Sequence, residues 1–375
     1  MGVRIVHLTD RLTDRGGAHR HLLAIVRALT ERGHDVHVVA GDLCDLSERV
    51  AATTHHLPGL DSRTGRPVEL DARLRRLDPE VLHVHTVVNP VALDRAAAWG
   101  AIFTVQDHRW FCPGRGKWTA RNEVCRVPLS PAACAECFDD REYQAEMLGL
   151  TRARLFALRG ATVLVLSEYM RSEMVLAGLS PAHVHVVPPF VDFDGPGPST
   201  AAAAEPDAGP PCVLFVGRLV QAKGPMDAVQ AWRRSGIDVP LVVAGTGPLR
   251  DEVHAAGAEV LGWMPHHRLS SLYGRARALL MPSRWQEPFG IAGLEAMSLG
   301  VPVVAWESGG IREWHPGPLA AWGDVEALAG ALREAVGGRV AAPPGFEREI
   351  LMDRLEQIYE REPAGRIAAA AGEAR

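Results

Sequence analysis

The chain has 375 residues, more than one ordinary hydrophobic core organises, and this length predicts two domains. Apolar residues make up 47% and charged residues 23%, a globular composition that excludes a disordered chain. The formal net charge of −5 argues against a nucleic-acid partner, which would require a basic excess.

The first half of the chain alternates short apolar runs with segments of helical period. Continuous Val, Ile and Leu runs suit strands that are buried on both faces, as in parallel sheets covered by helices. This alternation predicts a doubly wound α/β domain over residues 1–194. The predicted strands are RIVHLTD, VHVVAG, VLHVHT, AIFTVQD and TVLVLSE, and predicted helices begin at GGAHRHLL and EYMRSEM.

The Gly, Pro and Ala content of residues 195–211 offers no apolar face and predicts a linker. Alternation restarts with CVLFVGRL and predicts a second α/β domain over 212–345. FEREILMDRLEQIYE predicts a C-terminal helix over 346–361, and 362–375 is expected to be a flexible tail. Two such sheets are expected to face each other across a cleft, with ligands at the carboxyl ends of the strands.

The N-terminal sequence MGVRIVHLTD enters a strand pattern directly, without the apolar region of a signal peptide. No apolar run approaches the roughly 20 residues needed to span a bilayer. We therefore expect a cytoplasmic protein without stable disulfides, and leave peripheral membrane contact open.

Two cations lie on the loop after the first strand of the second domain. Gly217 permits a tight turn, and Arg218 and Lys223 follow it in FVGRLVQAKG. Cations beside a helix N-terminus form an anion site suited to a diphosphate. The alternative is a pair of solvated loop charges.

The stretch EPFGIAGLEAMSLG places Glu287 before a turn and Glu295 about one turn inside a predicted helix. Pro288 and Gly290 shape the turn, and Gly300 ends the helix. The backbone amides of Phe289, Gly290 and Ile291 would then point towards a ligand, where the helix macrodipole favours a phosphate. Carboxylates at these positions can accept hydrogen bonds from vicinal sugar hydroxyls.

These residues resemble the E-x7-E signature of family-4 glycosyltransferases, which have the GT-B fold. The resemblance covers nearly the whole chain, including the Gly16–Gly17 turn, VGRLVQAKG, LGWMPHHRLSSLYGRA, the EPFG-x4-EAM core and the glycines before Glu313. It implies transfer of a sugar from a nucleotide-diphosphate donor, with retention at the anomeric carbon, to a small-molecule or glycan acceptor.

The resemblance also assigns roles. Arg218 and Lys223 would hold the diphosphate, Glu287 the donor sugar, and Glu295 the ribose, while the backbone from Gly262 to Met264 would face the base. The amides of Phe289 to Ile291 would contact the sugar or phosphate, and the leaving phosphate would take the acceptor proton. Because these groups stabilise the leaving diphosphate, no catalytic metal is expected.

One segment departs from the family pattern. Where relatives commonly have His-Asp, this chain has Gln106 followed by Asp107, and His108 comes next. A Gln side chain can still donate to a sugar hydroxyl, so all three residues are catalytic candidates. His83 and His85 alternate on one predicted strand and are expected to be hydrogen-bonded core residues.

Four of the six cysteines fall in one Pro-, Gly- and Arg-containing loop of the first domain, with C-x12-C-x8-C-x2-C spacing; they are Cys112, Cys125, Cys134 and Cys137. This spacing predicts a structural zinc site with four thiolate ligands. Thiols, a redox pair and an iron–sulfur cluster are the alternatives.

Three functional alternatives to transfer remain at this point. A nucleotide-sugar epimerase of the same fold would convert the donor without an acceptor, and a glycan phosphorylase would need a pyridoxal-phosphate lysine that the sequence does not identify. A non-catalytic protein that has lost its chemistry at Gln106 would bind the donor without turnover. A NAD-dependent enzyme is disfavoured because no G-x-G-x-x-G follows the first strand.

Overall fold

A computed structural model describes residues 2–44, 46, 50–65, 67, 69–191 and 209–362. The chain divides into two compact units. Unit 1 comprises the described residues of Met1–Gly114, Arg126–Phe190 and Arg348–Arg375, and unit 2 those of Arg115–Cys125 and Val191–Glu347. The predicted linker and tail lie outside the described residues except at 209–211 and Glu362.

Unit 1 contains a parallel sheet whose described strands run in the order β3-β2-β1-β4-β5-β6-β7. These strands are β1 (Arg4–Leu12), β2 (Asp35–Leu43), β3 (Thr53–His56), β4 (Val81–Val84), β5 (Ile102–Val105), β6 (Val163–Val165) and β7 (Val184–Val186). The helices between them are α1 (Gly17–Glu31), α2 (Leu70–Leu77), α3 (Pro90–Ala98), α4 (Pro131–Cys134), α5 (Arg141–Ala157) and α6 (Glu168–Leu176). Every residue of β4 and β5 is buried, as expected for central parallel strands.

Unit 2 contains a second parallel sheet, in the order β10-β9-β8-β11-β12. Its strands are β8 (Cys212–Val216), β9 (Leu241–Ala244), β10 (Glu259–Gly262), β11 (Ala276–Met281) and β12 (Val303–Ala305). Its helices are α7 (Pro225–Ser235), α8 (Arg250–Ala255), α9 (His266–Arg275), α10 (Ile291–Ser298) and α11 (Val325–Ala335). The two parallel-sheet units confirm the predicted α/β class.

The C-terminal helix, α12 (Arg348–Arg361), belongs to unit 1. Its buried side chains, including Leu355 and Tyr359, join the core that α1 forms over the sheet. At the end of α1, Arg32 pairs with Asp353 at 2.7 Å and with Glu356 at 2.6 Å. None of the described helices combines the length and the apolar character needed to cross a bilayer.

One short segment of the first half of the chain belongs to unit 2. Residues Arg115–Cys125 are grouped with unit 2, whereas the residues before and after them belong to unit 1. The whole four-cysteine loop was predicted to lie in the first domain, because contacts with a distant segment leave no mark in local composition. The predicted boundary at 194 lies outside the described residues.

Candidate functional site

A tight turn in unit 2 positions Lys223 after β8. Gln221–Lys223 forms a 3-10 turn, and Gly224 adopts a left-handed conformation with φ 65° before α7 begins. A Cβ atom on Gly224 would lie 1.9 Å from the carbonyl oxygen of Pro282. Glycine therefore allows the Lys223 turn to approach the end of β11 closely.

Lys223 and Glu287 form a buried ion pair. The Lys223 Nζ lies 2.7 Å from the Glu287 Oε1, and the Ser283 hydroxyl donates to the same carboxylate. Glu287 is 2% exposed. Burial raises the pKa of Glu287, but the Lys223 charge and the hydrogen bonds from Lys223 and Ser283 outweigh it, so the pKa is below its usual value. The carboxylate is therefore ionised at neutral pH.

Trp285 brings the two predicted diphosphate ligands together. Its ring lies 4.4 Å from the Lys223 Nζ and 5.4 Å from the Arg218 guanidinium carbon. Both distances are within the range of cation–π attraction. Trp285 was not predicted as a site residue, because nothing in its local sequence pattern distinguishes it from a core aromatic residue.

The N-terminus of α10 is built as the sequence predicted. Gly290 has φ 94°, and the Phe289 side chain is buried while its carbonyl accepts from the Trp314 Nε1 at 2.6 Å. Within the described chain, no side chain caps this helix. The first-turn amides at Ile291 therefore form a potential anion-binding end.

Glu295 lies inside α10 and is buried. Its Oε2 accepts from the Tyr273 hydroxyl at 3.0 Å, and its Oε1 is 3.2 Å from the His266 Nε2. Gly262 ends β10, where its carbonyl accepts from the Gly245 amide at 2.7 Å, and Met264 follows it in a half-buried loop. Tyr273 and His266 are further residues that the motif did not reveal.

The carboxyl edge of β1 and β4 in unit 1 carries a second polar cluster. The Asp10 carboxylate accepts from the Thr86 hydroxyl and from the Arg11 amide. Burial lowers the pKa of His19, and the nearby Asp10 charge partly opposes this shift. Gly16 has φ 91°, and a Cβ there would meet no atom within 4 Å, so this turn, which continues into Gly17, has open space beside it. No motif in the sequence marked Asp10, Thr86 or His19 as site residues.

The three candidates after β5 have different environments. Gln106 is buried, with its Nε2 3.4 Å from the His85 Nδ1, and His108 is buried against Phe111. Asp107 accepts from the amide and the Nε of Arg109, both at 2.8 Å. Burial raises the pKa of Asp107, but the Arg109 charge and hydrogen bonds bring it below its usual value. Asp107 is thus an anion paired with Arg109.

His7, His83 and His85 form a buried cluster whose ring nitrogens could, by distance, hold a metal ion. However, His83 already hydrogen-bonds Tyr359 at 2.7 Å and Thr104 at 2.6 Å, and His7 and His85 bond each other at 3.0 Å. Burial keeps the pKa values of all three rings low. The cluster is therefore a neutral hydrogen-bonded core, as expected for His83 and His85.

The four cysteines of the predicted zinc site are half-buried. Cys112, Cys134 and Cys137 belong to unit 1, and Cys125 ends the segment assigned to unit 2. A Cβ on Gly114 would lie 3.0 Å from the Cys137 Cβ, so Cys137 packs close to the chain that follows Cys112. The zinc site stays a prediction.

Two family models match the chain. "Glycosyltransferase Family 4" matches residues 15–194 and "Glycosyl transferases group 1" matches residues 200–339. Among curated relatives, a D-inositol 3-phosphate glycosyltransferase of Geodermatophilus obscurus is 29% identical over 95% of this chain and 86% of its own length. A 2-deoxystreptamine glucosyltransferase of Streptomyces kanamyceticus is 33% identical over 50% of this chain and 54% of its own. An alpha-maltose-1-phosphate synthase of Mycolicibacterium smegmatis is 33% identical, and the match spans about half of each, 48% of this chain and 54% of the relative.

Solved structures show the same fold. Sucrose-phosphate synthase from Thermosynechococcus elongatus aligns with a TM-score of 0.66 and 19% identity, over 96% of this chain and 98% of that one. HepE from Anabaena, solved with UDP and glucose, aligns with a TM-score of 0.69 and 16% identity, over 96% and 100%. The fold is therefore GT-B, and because the two family models together account for most of residues 15–339, the chain belongs to the family-4 glycosyltransferases.

Proposed function

We propose that this glycosyltransferase moves a hexose from a nucleotide-diphosphate sugar to a hydroxyl group of a natural product, saccharide or lipid-linked saccharide, with retention of anomeric configuration. The observation that carries the proposal is the pair of cations, Arg218 and Lys223, over the ring of Trp285. Two cations beside a helix N-terminus suit a diphosphate better than a neutral ligand.

The donor would be held by groups that unit 2 already orders. An ammonium has three N–H donors, and Lys223 uses one of them to bond Glu287. The others, with the Arg218 guanidinium and the amides of Phe289 to Ile291, would bind the diphosphate and sugar. The carboxylates of Glu287 and Glu295 would accept from hydroxyls of the sugar and ribose, and the Gly262–Met264 backbone would face the base.

The reaction needs charge stabilisation at the leaving group. The bond between the anomeric carbon and the diphosphate oxygen breaks, and the acceptor oxygen bonds the same face of that carbon. The leaving phosphate oxygen takes the acceptor proton. Fixed cations and helix amides stabilise the charge that develops on the diphosphate, so we propose that no catalytic metal is required. Gln106, Asp107 and His108 of unit 1 stay the candidates for catalytic polar contacts that the family resemblance names.

The four-cysteine set is proposed to bind a structural zinc ion through thiolates, which are preferred zinc ligands. Zinc would give order to a loop that has little apolar material of its own. This structural role of zinc is independent of the transfer chemistry.

We also propose that the protein is cytoplasmic.

The test begins with a panel of UDP-, GDP- and TDP-sugars, screened by thermal shift and then by release of nucleoside diphosphate. We expect one donor to bind and to be hydrolysed slowly without an acceptor. Lys223→Ala should reduce turnover by about 10²–10³-fold, while Arg250→Ala, an exposed cation of the same unit, should leave it unchanged.

Product analysis separates the remaining alternatives. Transfer with retention should give a product whose anomeric configuration, read by NMR coupling constants, matches that of the donor. Conversion of the donor to an isomer without any acceptor would indicate an epimerase. Binding of a nucleotide sugar without hydrolysis or transfer would indicate a non-catalytic protein. Either of these two results would overturn the proposal.

A further inference from the structure

The segment Arg115–Cys125, here called the inserted hairpin, is a short folded unit of its own. Trp118 and Val124 form an antiparallel bridge. The Cys125 amide bonds the Lys117 carbonyl at 2.9 Å, and the Thr119 amide bonds the Glu123 carbonyl at 2.8 Å. The chain enters unit 2 at Arg115 and leaves it after Cys125, so the hairpin is an insertion of the first half of the sequence into unit 2.

Hydrogen bonds and buried side chains fix the inserted hairpin within unit 2. The Gly116 carbonyl accepts from the Gln286 amide at 2.9 Å, and the Asn122 side-chain oxygen accepts from the Arg284 Nη1 at 3.2 Å. Trp118 is 3% exposed and Lys117 is 2% exposed. Lys117 also holds a left-handed conformation with φ 64°, which a non-glycine residue keeps only where its surroundings fix it.

The two residues contacted by the hairpin lie next to Glu287, a proposed donor ligand, and next to Trp285, whose ring contacts Arg218 and Lys223. Gln286 directly precedes Glu287, and Arg284 directly precedes Trp285. The amides of Arg284 and Trp285 both bond the carbonyl of Ala222, at 2.9 and 3.1 Å. The segment from Arg284 to Glu287 is thus held on one side by the Lys223 turn and on the other by the inserted hairpin.

A further ion pair makes this frame rigid. The Arg284 guanidinium bonds both oxygens of buried Asp227, at 2.7 and 2.6 Å. The same guanidinium reaches Asn122 through its Nη1. Bidentate Arg–carboxylate pairs fix the plane of the guanidinium, so Asn122 contacts a group of fixed orientation one residue before Trp285.

We propose that the inserted hairpin is a positioning element of the nucleotide-sugar site, which sets the placement of Trp285 and Glu287 and hence donor affinity. This rests on the proposed function. Asn122 and Trp118 are the positioning residues: Asn122 acts through Arg284, and Trp118 keeps the hairpin folded against unit 2. The hairpin therefore shapes donor recognition although it belongs, by sequence, to the half of the chain outside the donor domain.

The test uses the full-length protein and the nucleotide sugar that the wild type binds most tightly in the panel. Asn122→Gly is the decisive variant, because φ 59° at this position suits glycine, so the substitution removes the side chain without straining the backbone. We expect the donor Kd and KM to rise about threefold, with kcat little changed. Trp118→Ala, which unseats the hairpin, should raise them by about tenfold or more.

Two matched variants act as controls on the same hairpin. Asn122→Asp keeps an oxygen for Arg284 and should bind the donor as well as the wild type. Glu123→Gln changes an exposed side chain and should have no effect. A role limited to stability would lower the melting temperature of Asn122→Gly and leave the donor Kd unchanged.

The outcomes are distinct. If folded Asn122→Gly and Trp118→Ala both bind the donor as the wild type does, the positioning role is wrong while the proposed function stands. If Trp118→Ala does not fold, the Asn122 pair decides alone. If the wild type itself binds no nucleotide sugar, the proposed function fails, and this inference fails with it.

Discussion

Replacing Lys223 by Met removes the ammonium and keeps most of the aliphatic stem. The loss leaves the Glu287 carboxylate, 2% exposed, without its cation. Removing one partner of a buried ion pair costs about 3–5 kcal/mol. Because the Ser283 hydroxyl still donates to Glu287 and the Lys223 side chain is 22% exposed, we expect the lower end of that range, about 3 kcal/mol.

The reciprocal change should cost less. Glu287→Gln leaves the Lys223 ammonium without its carboxylate partner, but the Lys223 side chain is 22% exposed and can turn towards water. We therefore expect the free energy of unfolding to fall by about 1 kcal/mol. The double variant Lys223→Met with Glu287→Gln leaves no buried carboxylate without a cation. It should therefore be more stable than Lys223→Met alone, which is the signature of a coupled pair.

The assay is urea unfolding at pH 7, with the free energy of unfolding extrapolated to water for the wild type, both single variants and the double variant. Transfer measured alongside should fall about 10²–10³-fold in each single variant. Costs that simply add in the double variant would refute the buried pair. Equal costs for the two single variants would refute the asymmetry in burial on which the magnitudes depend.

Three further predictions concern the frame around this pair, the histidine core and the cysteines. Gly224→Ala should cost about 2 kcal/mol or more and raise the donor KM, whereas Gly236→Ala, with the same φ of 65° but no atom within 4 Å of a Cβ, should cost about 1 kcal/mol. Burial lowers the pKa of His7 to about 3 and of His21 to about 4. As the pH falls, these histidines are protonated in the unfolded chain before they are protonated in the folded protein. Their contribution to the free energy of unfolding should therefore be fully present above pH ~6.5 and fall by up to about 1.4 kcal/mol per pH unit per group as the pH drops towards 4. His7→Asn should reduce this pH dependence, as measured by unfolding at several pH values. Freshly purified reduced protein should contain about one zinc ion per chain by elemental analysis, and this content should disappear when Cys134 and Cys137 are both changed to Ser.

The turn and helix around Glu287 could be predicted because their signals are local. A glycine at position 290 permits φ 94°, and the residues after it favour a helix, so sequence spacing alone places Glu295 inside α10. The parallel sheets were equally accessible, because strands such as β4 are buried at every position and read as continuous apolar runs.

The partners within the site could not be predicted, because they depend on which strands become neighbours. Lys223 and Glu287 are 64 residues apart and meet only because β8 and β11 pair side by side. The same holds for Tyr273, which reaches Glu295 from α9. The strongest example is the inserted hairpin, whose Gly116 contacts Gln286 across a much longer stretch of sequence.

The Lys223–Glu287 pair changes how the charge of the site should be understood. Since the two charges cancel, the pair as a whole adds little net attraction for an anion at long range. What it supplies is a fixed ammonium, because Glu287 and the ring of Trp285 restrict where Lys223 can lie. Net positive potential must then come from Arg218, which is exposed, and from the amides at the start of α10. In the proposed function, a site arranged in this way would attract the diphosphate with the exposed Arg218 and stabilise it with Lys223, which needs no rearrangement when charge develops.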